Sequence, residues 1–549
     1  MELTGADILI RCLKEQGVDT VFGYPGGCVL DIYDAIYRDG TLKHVLTAHE
    51  QGASHAADGY ARATGKTGVV IATSGPGATN LVTGIATAYM DSVPLVAITG
   101  NVTVSNLGRD SFQEVDIAGI TMPVTKHNYI VKDVKKLAQT IREAFFIANA
   151  GRKGPVLIDI PKNIQTEKCG YEETLPLRHT PKAVPADSLT KIAAALERAK
   201  RPLILAGGGC IGSNASAALT AFAKRIQAPV CATLMGLGAY PASDGQFLGL
   251  IGMHGTDAAA KAFRRADTVI ACGMRFSDRV AGDRVKFREG KTVIQFDVDA
   301  AEIDKNVTTD LSVMADLNEI FKALLPQLKQ AEHKEWLKET AAYREYEAAN
   351  FDSSLPAYKI LSALQKFTDA DTPVATDVGQ HQMWTAQYRK FERPRTLITS
   401  GGLGTMGFGM GAAIGACVGT GKKTVLVTGD GSFHMNLNEL CTAVTQELPL
   451  VILLMDNNTL GMVRQWQTLF YGKRYSQTTL DRKTDYVKLA EAFGAKGYVI
   501  AGEKDILPVL KQAFAERGPV LVDCKIGIDD KVLPMIPPGK TFGDIITKL

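Results

Sequence analysis

Two short polar segments follow apolar runs and carry residue types that bind metals and phosphates. TVLVT is followed by GDGS at 429–432, and VILLM is followed by DNNT at 456–459. If the two runs are neighbouring parallel strands, Asp430 and Asn457 face the same crevice at the carboxyl edge of a sheet. Their oxygen atoms suit Mg²⁺ bridging to a phosphate, and the glycines let backbone N–H groups approach that phosphate. We predict a metal–diphosphate site; the alternative is a pair of ordinary strand-end turns.

A third glycine-rich segment, at 402–407, matches the GxGxxG pattern of dinucleotide-binding loops. The preceding TLITS is a poor strand, and no acidic residue follows about 20 positions later in a suitable β context. The sequence therefore disfavours dinucleotide binding through this loop.

The elements that would position these loops alternate along the whole chain. Short β-branched runs end in Gly, Asn or Asp, as buried parallel strands do, and stretches such as LAQTIREAFFIANA between them have helical spacing of apolar residues. The segments 165–185 and 326–356 interrupt the alternation and serve as boundaries. We predict an α/β protein with three doubly wound parallel-sheet domains at 1–165, 186–330 and 356–549.

Composition narrows the classes of function. The chain has 549 residues with 46% hydrophobic and 22% charged residues, which excludes a disordered or fibrous protein. A net charge of +3 gives no reason to expect nucleic-acid or membrane binding, so anionic ligands should bind in local pockets. Nine scattered cysteines and the absence of a signal-like N-terminus or a long apolar stretch predict reduced thiols in a cytoplasmic protein.

The spacing of GDG and the later asparagine pair resembles the signature of thiamine diphosphate enzymes. In that family an aspartate, an asparagine and a backbone carbonyl bind the metal. The resemblance implies that Asp430, Asn457 and Thr459 are the corresponding protein ligands here, with Mg²⁺ as the metal.

Glu50 lies after an apolar segment and before a helix of small residues. Alone, a glutamate at this position is usually a helix cap favoured by the helix dipole. In thiamine diphosphate enzymes a carboxylate contacts N1′ of the aminopyrimidine and takes part in the proton relay that activates the cofactor. The resemblance implies this role for Glu50.

Further motifs are similar to one family of these enzymes, the acetohydroxyacid (acetolactate) synthases, nearly from end to end. They are FGYPGG at 22–27, SGPGATN at 74–80, DSFQEVDI at 110–117, TKHNYIV at 125–131, VGQHQMW at 378–384 and GMVRQWQ at 461–467. Beside Glu50, the resemblance implies catalytic roles for Gln113 and Gly27 and a substrate channel formed by Phe112, Lys126, Val463 and Trp466. It implies thiamine diphosphate contacts from Glu50, Pro76, Asn80, Val378, Gly379, Gln380, His381, Gly404, Met406, Gly429, Asp430, Gly431, Ser432, Asn457 and Met462.

The middle unit resembles the FAD-binding segments of the biosynthetic branch of that family. The matching segments are LAGGG at 205–209, GMHGT at 252–256 and GMRFSDRVAG at 273–282, the last of which, taken alone, is also compatible with a solvated turn. The implied FAD contacts are Arg152, Gly207, Gly208, Gly209, Met253, His254, Gly255, Gly273, Arg275, Asp278, Arg279, Val280, Asp297 and Asp316.

The resemblance implies a carboligase. Pyruvate would lose CO₂ on thiamine diphosphate, and the hydroxyethyl carbanion would attack a second pyruvate or 2-oxobutyrate, the first common step of branched-chain amino acid biosynthesis. The alternatives are a flavin-dependent pyruvate oxidase, another thiamine diphosphate decarboxylase or carboligase, and a non-catalytic binding protein on the same scaffold.

The family also implies pyrimidine-binding, FAD-binding and diphosphate-binding roles for the three domains in chain order. It implies a homodimer or homotetramer with active sites at the subunit interface and a possible small regulatory subunit.

Overall fold

The computed structural model describes residues 1–548, and each third of this range contains one six-stranded sheet. All strand pairs within the three sheets are parallel. Helices alternate with the strands, which confirms the predicted α/β class with three parallel sheets.

The N-terminal sheet has the strand order β3-β2-β4-β5-β7-β6, and β1 pairs with β8 in a separate antiparallel ribbon. The reversal between β2 and β4 opens a crevice at the carboxyl ends of these strands. The strands are β1 (Glu2–Thr4), β2 (Thr20–Tyr24), β3 (Lys43–Leu46), β4 (Gly68–Ala72), β5 (Leu95–Asn101), β6 (His127–Ile130), β7 (Pro155–Pro161) and β8 (Lys168–Gly170). The helices are α1 (Gly5–Glu15), α2 (Leu30–Asp39), α3 (Glu50–Thr64), α4 (Pro76–Asn80), α5 (Val82–Met90), α6 (Ile117–Thr121), α7 (Val134–Asn149) and α8 (Lys162–Thr166).

The middle sheet has the strand order β11-β10-β9-β12-β13-β14. Its strands are β9 (Pro202–Ala206), β10 (Val230–Ala232), β11 (Phe247–Leu250), β12 (Thr268–Cys272), β13 (Thr292–Asp297) and β14 (Leu311–Met314). Its helices are α9 (Ala186–Arg198), α10 (Gly208–Gly212), α11 (Ser216–Arg225), α12 (Asp257–Arg265), α13 (Asp278–Ala281), α14 (Arg284–Phe287), α15 (Leu317–Leu324) and α16 (Lys334–Ala349).

The C-terminal sheet has the strand order β16-β15-β17-β18-β20-β19. Its strands are β15 (Val374–Thr376), β16 (Leu397–Ile398), β17 (Thr424–Gly429), β18 (Leu450–Asp456), β19 (Lys496–Ile500) and β20 (Val520–Lys525). Its helices are α17 (Pro356–Leu364), α18 (Gln380–Tyr388), α19 (Phe408–Thr420), α20 (Asp430–Phe433), α21 (Leu440–Thr445), α22 (Gly461–Phe470), α23 (Tyr486–Phe493) and α24 (Ile506–Ala515). Because β15, β17 and β18 are neighbours, the loops after their carboxyl ends converge.

Helices α3 and α19 join the N-terminal and C-terminal domains through small residues. Both helices are buried along most of their length, and they contribute to one apolar core shared by the two domains. A Cβ atom added to Gly411 would lie 2.7 Å from the carbonyl oxygen of Gly52, so glycine is needed for the two backbones to approach this closely. This packing fixes where α3, which begins at Glu50, stands relative to the C-terminal sheet.

No helix among residues 1–548 has the length and apolar character required to cross a membrane. The cytoplasmic location stays a prediction.

Candidate active site

A cleft of about 440 Å³ opens at the carboxyl ends of β15, β17 and β18. Most of the C-terminal residues implied by the resemblance line this one cleft; Gly404 and Trp466 are outside the lining. The lining residues are Val378, Gly379, Gln380, His381, Trp384, Met406, Gly429, Asp430, Gly431, Ser432, Met455, Asn457, Thr459, Leu460, Gly461, Met462, Val463 and Ile526. Three lining residues had no predicted role: Trp384 ends the VGQHQMW motif, Met455 directly precedes the DNNT segment on β18, and Ile526 directly follows β20.

Asp430 and Asn457 supply hard oxygen ligands at the ends of two adjacent strands. Both side chains are buried, and a carboxylate oxygen of Asp430 accepts a hydrogen bond from the Gly431 N–H at 3.0 Å. Burial raises the pKa of Asp430, and the neighbouring Asp456 carboxylate raises it further. A divalent cation here would offset that electrostatic cost. Residues 1–548 contain no group of three His, Cys, Asp or Glu residues arranged for a metal, and an Asp–Asn–carbonyl set does not require one.

Gln380 orients the amide of Asn457. The Gln380 Oε1 atom accepts a hydrogen bond from Asn457 Nδ2 at 3.3 Å, while its own Nε2 donates to the Asp530 carbonyl at 2.7 Å and to Gln465 Oε1 at 3.2 Å. The oxygen of Asn457 accepts from the Thr459 N–H at 3.2 Å and is directed to the loop that contains the third implied ligand. The amide is thereby held with its oxygen, not its nitrogen, available to a cation.

His381 presents a buried polar atom that finds no partner in the protein. Within residues 1–548 its Nε2 atom is buried and makes no hydrogen bond, and burial lowers the pKa of the ring to about 3. A Cβ atom added to Gly429 would lie 2.8 Å from the His381 Nδ1 atom. A neutral ring nitrogen without a partner, beside a glycine that must stay small, fits a bound polar group such as a diphosphate.

A buried aspartate that the motifs did not indicate joins two of the loops around the cleft. The Asp377 carboxylate accepts hydrogen bonds from the Val378 N–H at 2.9 Å and the Gly407 N–H at 2.8 Å. Burial raises the pKa of Asp377 to about 6. The contact sets the distance between the loop after β15 and the 402–407 loop, from which Met406 enters the cleft.

The N-terminal residues implied in catalysis lie together, but none of them lines the cleft formed by the same chain. Glu50 is the first residue of α3, and its Oε2 atom accepts a hydrogen bond from Asn80 Nδ2 at 3.0 Å. A Cβ atom added to Gly75 would lie 2.9 Å from the Cα atom of Gln113, which itself has a φ of 57°. Phe112, beside it, is 87% exposed.

Two further N-terminal residues are placed by glycine-containing turns on the same side of the sheet. Pro76 occupies the first position of α4, where its missing N–H costs nothing, and Gly27 begins a short 3₁₀ turn after β2. The backbone carbonyl of Gly27 accepts a hydrogen bond from Lys162 Nζ at 3.1 Å.

Helix α22 carries the implied channel residues Val463 and Trp466 and the implied thiamine diphosphate contact Met462. Met462 and Val463 line the cleft, and Val463 is half exposed. The Trp466 ring packs edge-on against Phe470 with 5.6 Å between centroids. The Arg279 guanidinium stands 5.9 Å from the centre of the Trp466 ring, so the middle domain borders this wall.

Lys126, the other implied channel residue, has its ammonium group engaged elsewhere. The Nζ atom donates to the carbonyls of Ile147 and Ala150 at the end of α7, the latter at 2.6 Å. Burial lowers the pKa of Lys126 to about 8. In this conformation the charge caps a helix C-terminus and is not directed to the cleft.

Part of the implied FAD set lines a second cavity, of about 250 Å³. Met253, Asp278, Arg279 and Val280 share it with residues near the C-terminus, Ile536, Pro537, Gly539, Lys540 and Phe542, together with Ala281 and Gly282. The C-terminal residues carry no motif, so only the structure shows that they join the site. The neighbouring His254 is buried, its Nδ1 atom has no partner among residues 1–548, and burial lowers its pKa to about 4.

The glycines of the middle domain make backbone contacts between loops. A Cβ atom on Gly209 would lie 2.7 Å from the Cα atom of Gly273, and one on Gly207 would lie 2.6 Å from the Met274 Cβ atom. Gly208 and Gly255 are similarly restricted, by Met235 and by the Leu250 carbonyl. The close loop contact at the ends of β9 and β12 is therefore a packing requirement in its own right.

The remaining implied FAD residues are distributed around the junction of the domains. Arg152 pairs with Glu302 at 2.7 Å, and Arg275 donates to the Met90 carbonyl at 2.7 Å. Burial raises the pKa of Asp297, at the end of β13, to about 6. Asp316 caps the N-terminus of α15 by accepting from the Asn318 N–H at 2.9 Å. These side chains have structural partners and do not line the second cavity.

Family models describe the three units in chain order. The N-terminal TPP binding domain of thiamine pyrophosphate enzymes matches residues 3–120, the central domain of these enzymes matches 189–324, and the C-terminal TPP binding domain matches 377–524. The three-domain fold is thus that of the thiamine pyrophosphate (thiamine diphosphate) enzymes.

Full-length relatives narrow the class. The chain is 45% identical to the probable acetolactate synthase large subunit of Methanocaldococcus jannaschii, with 99% of this chain and 95% of that protein covered. It is 44% identical to the acetolactate synthase isozyme 2 large subunit of Escherichia coli, with both chains fully covered. It is 42% identical to the acetolactate synthase large subunit of Haemophilus influenzae over 99% of this chain and 98% of that protein. The chain belongs to the acetolactate synthase large subunit family.

Proposed function

We propose that the protein is an acetolactate synthase. It removes CO₂ from pyruvate and joins the remaining two-carbon unit to a second pyruvate, giving 2-acetolactate, or to 2-oxobutyrate, giving 2-aceto-2-hydroxybutyrate. The observation that supports this most directly is the single cleft in which Asp430, Asn457, His381 and Met406 converge in a chain related end to end to such enzymes.

Thiamine diphosphate, when bound, supplies the nucleophilic carbon and accepts the electrons released with CO₂. The chain's own residues would hold it: Asp430, Asn457 and the Thr459 carbonyl would bind the Mg²⁺ that accompanies the diphosphate. The free ring nitrogen of His381 and the N–H groups around Gly431 would contact the phosphate oxygens. Met406, entering the cleft from the glycine-rich loop, would support the centre of the cofactor.

Glu50 would hold the proton at the aminopyrimidine. Its carboxylate accepts from Asn80, which orients it while leaving the second oxygen for another partner. The residues around it would exclude water and so favour carbon–carbon bond formation over protonation. Gln113 and Gly27 would approach the reacting carbon, and Phe112, Val463 and Trp466 would line the path of the second 2-oxoacid, whereas the Lys126 ammonium is bound to the carbonyls at the end of α7.

The site is completed by a second copy of the chain. Glu50 does not line the cleft of its own chain, and large apolar residues stand exposed on both the N-terminal and C-terminal domains: Phe112 at 87%, Met435 at 57% and Leu46 at 52%. A homodimer, or a homotetramer built from it, would bring Glu50 of one chain to Asp430 of the other. A small regulatory subunit is a further expected partner, since the relatives are named as large subunits.

FAD is proposed for the second cavity and the adjoining glycine loops. The His254 Nδ1 atom, which has no partner among residues 1–548, and the exposed Arg279 guanidinium suit a polar, phosphate-containing ligand. The overall reaction has no net redox change, so the flavin would have a structural role.

A product assay tests the proposal. The purified protein is incubated with pyruvate, with and without thiamine diphosphate, Mg²⁺ and FAD, and acetolactate, CO₂ and oxygen uptake are measured. We expect one CO₂ per acetolactate, dependence on thiamine diphosphate and Mg²⁺, and no matching oxygen uptake. Oxygen uptake equal to CO₂ release would instead indicate a pyruvate oxidase.

A further inference from the structure

Glu439, a fully buried residue of the C-terminal domain, accepts hydrogen bonds from the backbone just before Glu50. The Glu439 Oε1 atom accepts from the His49 N–H at 3.0 Å, and its Oε2 atom accepts from the Ala48 N–H at 3.1 Å. Thr442 Oγ1 donates to Oε2 at 2.6 Å and completes the set of donors. The two N–H groups belong to the residues immediately before Glu50, so the contact crosses the domain boundary at the start of α3.

The contact leaves little freedom on either side. A Cβ atom on Gly52 would overlap the Glu439 carboxylate, and Gly411 of α19 packs against the Gly52 carbonyl. His49 is the N-cap residue of α3, with extended backbone and a side chain that accepts from the Gln51 N–H at 3.1 Å. Glu439 therefore sets the geometry of the turn from which the Glu50 side chain departs.

We propose that Glu439 is a positioning residue for Glu50: by clamping the two preceding N–H groups it holds the Glu50 carboxylate in the orientation that proton transfer requires. The inference rests on the proposed function, because the orientation of Glu50 matters to catalysis only if Glu50 handles the cofactor proton. A displacement of about 1 Å at such a group can cost on the order of a hundredfold in rate.

Burial by itself disfavours a charged carboxylate at the position of Glu439, so the hydrogen bonds to it must stabilise the charge. Desolvation is the largest influence on Glu439 and raises its pKa, and the hydrogen bonds from Thr442, Ala48 and His49 oppose that shift. A carboxylate bonded to the N–H groups at a helix start is also favoured by the helix dipole. The group thus joins two domains through bonds that strengthen as it ionises.

The middle domain offers a matched control. Glu347 of α16 likewise accepts from two consecutive N–H groups at a helix start, those of Asp257 at 2.9 Å and Ala258 at 3.3 Å. Burial raises its pKa as well. These hydrogen bonds hold the start of α12, and Glu347 does not contact Glu50.

The first measurement is amide hydrogen exchange in the full-length protein without substrate. Glu439→Gln removes one acceptor and places an amide against an N–H donor, so we expect exchange in residues 46–52 to rise by about tenfold, as expected for the loss of stabilising hydrogen bonds. Glu347→Gln should raise exchange only near residues 257–258. Gly52→Ala is the second variant, since it displaces the carboxylate without removing it and should give the same local change as Glu439→Gln.

The second measurement separates kcat from KM under saturating thiamine diphosphate and Mg²⁺. We expect Glu439→Gln and Gly52→Ala to lower kcat by about tenfold to a hundredfold with the pyruvate KM nearly unchanged, because proton transfer and not binding is affected. Glu347→Gln should keep kcat within about twofold of the parent protein, since a contact away from the reacting groups leaves their geometry intact.

The inference is overturned if Glu439→Gln resembles Glu347→Gln in kcat, or if exchange in residues 46–52 stays at the parent level. Failure of the proposed function is distinguishable, because it would show as absence of acetolactate from the unmodified protein before any variant is compared.

Discussion

Asp91 of the N-terminal domain holds the glycine-rich loop of the C-terminal domain. Its carboxylate accepts from the Gly402 N–H at 2.7 Å and the Gly401 N–H at 3.0 Å. Arg62 pairs with Asp91 at 3.0 Å and also with Asp58, and all three side chains are buried. The loop that carries Met406 into the cleft thus depends on charges supplied by another domain.

Replacement of Asp91 by Asn should destabilise the protein and weaken cofactor binding together. Removal of one partner from a buried ion pair costs about 3–5 kcal/mol, and loss of an N–H acceptor frees the loop. We expect a lower thermal midpoint and about tenfold weaker thiamine diphosphate binding, a change of about 1.4 kcal/mol. Lys66→Ala, which breaks an exposed pair with Asp19, is the control and should change neither property appreciably. Normal cofactor affinity in Asp91→Asn would contradict the role of the loop.

Glu50→Gln should nearly abolish acetolactate formation with the fold intact. Gln keeps an oxygen to accept from Asn80, so the local contact survives, but it cannot take up the proton. General acid–base groups contribute about 10²–10⁴-fold in rate. Steady-state assays and thermal melting would check this. Activity within tenfold of the parent protein would remove Glu50 from the proposed role.

Mixing two inactive variants tests whether the site is shared between chains. Glu50→Gln and Asp430→Ala are each expected to be inactive alone. In a mixed dimer one of the two sites regains both intact residues, so about a quarter of the parent activity should return after subunit exchange. No recovery, despite mixed dimers verified by mass spectrometry, would contradict an interface site.

Trp466→Leu should reduce the preference for 2-oxobutyrate over pyruvate as acceptor. A hydrophobic wall discriminates one methylene by about 1–3 kcal/mol, so the product ratio should shift by up to that amount. The measurement is a competition assay with both acceptors. Tyr471→Leu, at an exposed position just after α22, is the control. An unchanged ratio in Trp466→Leu would count against the assignment of this wall.

His55 should make the protein less stable in mild acid. Its ring is fully buried on α3 against Phe408, and desolvation lowers its pKa to about 3. In the unfolded chain His55 takes up a proton near pH 6.5, whereas in the folded chain it stays neutral. The stability is therefore unaffected by this group above pH 6.5 and falls as the pH is lowered below it. Between pH 6.5 and 5 the loss from this group is about 2 kcal/mol. On acidification from pH 6.5 to 5, the thermal midpoint of His55→Met should fall less than that of the parent protein. The control is His179→Met, at an exposed position, whose midpoint should fall as much as that of the parent protein.

The sheets and the C-terminal half of the site could be predicted from sequence because their signals are local. A β-branched run that ends in Asp or Asn marks the end of a buried strand, and parallel strands bring such ends to one edge. Asp430 and Asn457 follow from this rule, and β17 and β18 are indeed neighbours. The expected roles of individual residues beyond their placement stay predictions.

Residues whose partners are distant in the chain carry no such signal. Glu439 bonds to N–H groups 390 and 391 positions away, and Asp91 to those 310 and 311 positions away. From sequence alone, a single Glu or Asp after a helical or strand segment is predicted to be an ordinary helix cap. Lys540 likewise could not be predicted, because it lines the second cavity but belongs to no recognisable motif.

By itself the sequence determined three parallel α/β sheets, their loop-borne motifs and the chemistry that those residue types allow, because hydrophobic period and turn residues act over a few positions. The tertiary structure decided that Glu50 lies outside the cleft of its own chain, that the Lys126 ammonium caps α7, and that buried carboxylates tie the loops together. The position of Glu50 depends on how α3 and α19 pack, which is set by contacts between small residues hundreds of positions apart.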